Sequence, residues 1–232
     1  MKSSIYQIVA ILALGLHLVP LLIVLGKKLW SAVPFRLLAL YWVLCALMNV
    51  LPWMALPVRT LELCTVIYKL LDVPIVLSVL YFSTSSAAVK KFTKLAAPAL
   101  LAASLVNCII RGFTTNVLEY VLGAGLLLIT GAIIWEIILK LQQIRLTSQA
   151  KGLLLTHAAL LFVFGASAVI YIFVYFLPGT SSATDNLLMY YLSALIALPV
   201  TIGGYLIRGV KPPPPPASET VDTPFGKGYQ MI

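Results

Sequence analysis

Charge is what this sequence has least of. Only 10% of its 232 residues are Asp, Glu, Lys or Arg, against about 25% in an ordinary soluble domain, and that shortage excludes a soluble globular protein. Histidine and cysteine are nearly as scarce, at 2 and 3 residues. His17 and His157, with no acidic or cysteine partner at ligand spacing, supply neither a zinc centre nor a matched axial pair for haem. Cys45, Cys64 and Cys108 all fall in apolar runs with no C-x-x-C spacing, so no disulfide framework or redox motif is implied. No metal or cofactor is expected. The apolar runs are continuous rather than alternating at every second residue, which excludes a transmembrane β-barrel.

What is abundant is hydrophobicity, at 61% of residues with a mean hydropathy of +1.03. Seven apolar runs, at 5–26, 37–57, 61–82, 95–112, 117–140, 153–177 and 186–208, each reach the roughly 17–25 residues that a helix needs to cross the hydrocarbon core. The expectation is an all-α polytopic membrane protein with seven transmembrane helices. Basic residues set its orientation, because Lys and Arg stay in short cytoplasmic loops. Lys27, Lys28, Arg36, Lys90, Lys91, Lys94, Lys140, Arg145, Lys151, Arg208, Lys211 and Lys227 fall on one side; Lys2, Arg59 and Arg111 fall on the other. Twelve against three places the N-terminus outside and the C-terminus in the cytoplasm of what we take to be the plasma membrane. The net charge of +9 is thus a topology signal, and no nucleic-acid partner is expected. The first run is longer than a leader's apolar core and lacks a small-x-small cleavage site, so it reads as a span.

Residues 1–208 therefore form the bundle and 209–232 a flexible cytoplasmic tail, opened by the polyproline run Pro212 to Pro216. Such a run adopts a stiff extended helix that projects the last sixteen or so residues away from the bilayer. A 3+1+3 repeat also fits the spacing. Runs one and five precede basic loops, runs two and six end in Leu56-Pro57 and Leu177-Pro178, and runs three and seven hold Pro74 and Pro199.

An ionisable side chain deep in a span costs about 2.5–3.5 kcal/mol on insertion scales and so needs a reason. Tyr68-Lys69-Leu70-Leu71-Asp72-Val73-Pro74 puts Lys69 and Asp72 at i, i+3, on one helix face. This allows two readings: a self-neutralising pair that fixes packing, or two groups on a polar cavity. Pro74 favours the cavity, since it leaves the Leu70 carbonyl without its helical donor. The candidate ligand-binding residues are Asp72, Lys69, Asn49, Tyr68, Tyr171 and Asn107. Tyr175, Tyr190 and Tyr191 read as an interfacial aromatic belt, His17 as a packing histidine, and Glu136 with Lys140 as an i, i+4 anchor at the inner interface.

The stretch Leu70-Leu71-Asp72-Val73-Pro74-Ile75-Val76-Leu77 resembles the third helix of microbial rhodopsins, where a polar residue two before a proline faces the chromophore. The resemblance covers about a dozen residues. Run seven has no lysine to hold retinal, which excludes a bound chromophore. Length, topology and the suggested repeat are similar to the small sugar transporters of the SWEET type, whose Pro-Gln signature is missing here. Seven-helix ceramidase-like hydrolases need several zinc-binding histidines, which this chain lacks. The reading is a non-enzymatic sensor or signalling subunit with a small outward-facing polar cavity. Its expected partners are membrane lipids, a small-molecule ligand and a cytoplasmic protein docked on the basic loops and tail. The alternative is a small-solute or proton-coupled transporter.

Overall fold

The computed structural model describes residues 2–54, 56–143, 147–177, 179 and 182–208, and all its regular elements are helical. The helices are α1 (Lys2–Gly26), α2 (Val33–Val50), α3 (Val58–Ser83), α4 (Ala87–Arg111), α5 (Glu119–Leu141), α6 (Ser148–Tyr175) and α7 (Ala183–Arg208). Each is long and apolar enough to cross a membrane, so the chain has the make-up of a multi-pass integral membrane protein. The polyproline run with the rest of the tail, Arg145, and Pro178 of the sixth run's Leu-Pro end lie outside the described residues.

Polar caps and glycines set several boundaries. Ser86 and Thr147 accept the Val89 and Ala150 amides at the starts of α4 and α6. Ser182 and Asp185 form a reciprocal capping box at the start of α7, with Asp185 N–H donating to Ser182 Oγ (3.1 Å) and Ser182 N–H to Asp185 Oδ2 (3.4 Å). Gly112, at φ 95°, closes α4 in a conformation that other residues resist. Helix α4 corrects the sequence expectation. It starts at Ala87 rather than at 95, so Lys90, Lys91 and Lys94 ride exposed on its first turns instead of in a loop. Lys and Ala are good helix formers, and Ser86 supplies the cap.

Consecutive helices pack on one another, α7 closes back on α1, and α3 meets α5 directly, which leaves α4 outside, against α3 and α5. Lys27 Nζ reaches the Leu206 carbonyl (3.4 Å), and the Tyr6 and Tyr191 rings meet edge to face (5.8 Å). Those contacts tie α1 to α7 at both ends, the basic end and the opposite end. The core is built from Leu77, Leu80, Ile129, Ile133, Leu160, Phe164 and Leu198, all fully buried. Two glycines allow close approaches. At Gly204 an added Cβ would lie 2.6 Å from the Gly152 carbonyl oxygen, and at Gly123 it would lie 2.4 Å from the Tyr171 hydroxyl.

Candidate functional site

Asp72 sits near the middle of α3, two residues before Pro74. Its carboxyl faces the ring interior, where the hydroxyls of Tyr41 on α2 and Tyr68 on α3 interact with it. Cys45, one turn beyond Tyr41, places its Sγ 3.4 Å from the Tyr68 hydroxyl. Asn49, a further turn along α2, donates Nδ2–H to the Cys45 carbonyl (2.7 Å) and to the Tyr190 hydroxyl on α7 (3.3 Å). The i, i+4 spacing of Tyr41, Cys45 and Asn49 puts all three on one face of α2. A polar column thus runs from Asp72 toward the opposite end.

Within this column Asp72 Oδ1 is buried with no hydrogen-bond partner among the described residues. Buried polar atoms are almost always satisfied, and an unsatisfied one costs about 1–3 kcal/mol. Asp72, Tyr68, Asn49 and Tyr190 nevertheless keep some accessible surface though helices enclose them.

The six residues singled out from the sequence do not converge on one place. Asp72, Tyr68 and Asn49 belong to the column. Lys69 attracts the Asp72 carboxylate at a distance but forms no contact ion pair with it among the described residues, and it lines a crevice between α3, α4 and α5 with Ser104 and Gly125. The i, i+3 spacing holds, but α3 runs between two sets of neighbours and each side chain turns to a different one. Tyr171 packs its ring on Tyr175 (4.8 Å) and lies over Gly123 of α5. Asn107 donates Nδ2–H to the Val117 carbonyl, fastening α4 to the turn before α5. Tyr190 and Tyr191 correct the aromatic-belt expectation, since Tyr190 bonds Asn49 inside the bundle and Tyr191 is buried between Tyr6 and Tyr190. His17 packs as expected, with Nδ1 2.6 Å from the Ala13 carbonyl and its ring edge-on to Trp42.

The Glu136–Lys140 pair read from the sequence forms, and it gathers partners that the sequence did not point to. At the basic end, Lys140 Nζ and Glu136 Oε1 form an ion pair at 2.7 Å with both side chains buried. Thr84 Oγ1–H donates to Glu136 Oε2 (2.5 Å), and Lys140 donates to the Ser83 carbonyl (3.4 Å). The Ser83 hydroxyl and His157 Nε2 lie 2.9 Å apart. The pair is thus buried between helices at the end of α5. It grips the C-terminus of α3 from α5, while His157 holds it from α6. Ser83 lies eleven residues beyond Asp72, about 16 Å along the helix. Buried Val76, Leu77, Val79 and Leu80 separate the two clusters.

The Asp72 column offers a carboxylate, tyrosine hydroxyls and an amide in an apolar surround, chemistry suited to binding a polar ligand or a proton. Compared with protein-family models, with curated proteins and with solved structures, the chain shows no significant match.

Proposed function

We propose that this chain is a membrane sensor whose responding centre is the Asp72 column, with a small polar ligand as its stimulus. The observation that carries the reading is the buried Asp72 Oδ1 left without a hydrogen-bond partner among the described residues. An intramembrane carboxylate with one oxygen left unsatisfied is a functional-site hypothesis by default, because packing alone gains nothing from that oxygen. The column leads from Asp72 through Asn49 and Tyr190 toward the end poor in Lys and Arg. By the charge bias that end is outside, the N-terminus with it, and the plasma membrane is the host. On this reading residues 1–208 are the sensing bundle. The basic ends of the helices and the tail at 209–232 face a cytoplasmic protein partner, and lipids surround the apolar flanks. No enzymatic role is proposed.

One observation favours a second reading as a small-solute transporter. Pro74 and Pro199 lie inside the continuous helices α3 and α7, which carry Asp72 and Tyr190, and each proline removes a backbone donor and gives its helix a bending point of the kind alternating access uses.

The sensor reading is tested by thermal unfolding of the wild type and Asp72→Asn in nanodiscs against a panel of small polar solutes. It expects Asp72→Asn to fold, and at least one solute to stabilise the wild type alone. An Asp72→Asn chain that fails to assemble would make Asp72 a packing residue and overturn the reading. Solute uptake into vesicles that Asp72→Asn abolishes would select the transporter.

A further inference from the structure

Independently of that reading, we propose that the crevice between α3, α4 and α5 is a binding site for one small inorganic anion of halide size, held by the Lys69 ammonium and the Ser104 hydroxyl. Three observations carry this. Lys69 lies eleven residues into α3, about 16 Å from its start, too deep for its side chain to count as an interfacial anchor. It is half-buried, and among the described residues its amine makes neither an ion pair nor a hydrogen bond. An ammonium at that depth calls for a counter-charge or a strong acceptor.

The chemistry of the lining supplies the second observation. Lys69 and the buried Ser104 are donors, and the remaining side chains include Leu100 and Leu122, with Gly125 at the back. No carboxylate lines the crevice among the described residues, and α4, which forms its outer wall, has no acidic residue along its length. Asp72, the acid nearest in the chain, interacts with the Tyr41 and Tyr68 hydroxyls on the ring side of α3 and attracts Lys69 only from beyond ion-pair distance. The third observation is size. The cavity measures about 20 Å³, room for one water-sized or halide-sized particle. The close fit at Gly125, where an added Cβ would come 3.2 Å from Val73 Cγ2, fixes that dimension.

The site acts as a stitch: an anion held from Ser104 on α4 and Lys69 on α3 ties the outlying helix to the ring. The test is chloride NMR line broadening on the nanodisc-embedded protein, with gluconate replacing chloride at constant ionic strength. The proposal expects saturable broadening, reversed by bromide. Lys69→Met is expected to weaken chloride at least about tenfold, Lys69→Arg to retain it and Ser104→Ala to weaken it. Asp72→Asn is expected to keep or tighten binding, because it removes a nearby negative charge; the sensor reading can therefore fail while this one stands. If Lys69→Met does not fold, Ser104→Ala and Lys69→Arg carry the comparison. Broadening that does not saturate in the wild type, or that Lys69→Met and Ser104→Ala leave unchanged, would overturn the proposal and leave the crevice to water.

Discussion

Replacing Lys140 by methionine removes one half of a buried ion pair and keeps most of the side chain's volume. At 2.7 Å the attraction between Lys140 and Glu136 is about 6 kcal/mol at an effective dielectric of about 20. Desolvation of the two ions, several kcal/mol each, offsets most of it. The intact pair is therefore close to neutral for stability, yet losing one partner leaves Glu136 buried and uncompensated, with only the Thr84 hydroxyl as donor. Breaking such a pair costs about 3–5 kcal/mol. In a chain of this size that lowers the unfolding midpoint by roughly 6–20 °C. The double variant Glu136→Gln/Lys140→Met removes both charges and leaves an amide oxygen to accept from Thr84, so it is expected within about 1 kcal/mol of the wild type. Tryptophan fluorescence or circular dichroism during heating in nanodiscs reads all three proteins. A Lys140→Met chain that melts with the wild type, or a double variant that melts as low as the single one, would refute the reasoning.

Two further substitutions test the packing that positions the site. Gly204→Ala places a Cβ 2.6 Å from the Gly152 carbonyl oxygen, which forces α6 and α7 apart at a cost of about 1–3 kcal/mol. Gly131→Ala, with nothing within 4 Å, is expected to be neutral or to stabilise by up to about 1 kcal/mol; equal melting shifts in the two would contradict the close-approach argument. Asn107→Ala removes the bond to the Val117 carbonyl and is expected to cost about 1 kcal/mol in the same melts, with faster amide exchange in the turn between α4 and α5.

The spans were legible because a bilayer demands length and apolarity, and both are written locally in the chain. The start of α4 was not, because Lys90, Lys91 and Lys94 ended the apolar run while helix propensity and the Ser86 cap continued the helix. Asp72 stood out as a charge in an apolar window, but its neighbours did not, since Tyr41, Asn49 and Tyr190 come from other helices and their inward rotation depends on packing. Spacing alone misplaced Lys69: two residues at i, i+3 share a face only broadly, and α3 is flanked on both sides of that face. The partners of the Glu136–Lys140 pair were missed because Thr84 and Glu136 are 52 residues apart and Ser83 and His157 are 74 apart. A signal was present. Glu136 and Lys140 are the charged residues of the otherwise apolar stretch 120–141, and a pair that deep needs partners beyond itself.

Native mass spectrometry of the protein released from nanodiscs tests the central claim most directly, by asking what travels with the Asp72 column. The account predicts a stoichiometric small polar molecule on the wild type that is missing from Asp72→Asn, with both chains folded. A bare wild-type chain, or a bound molecule that Asp72→Asn retains in full, would contradict it.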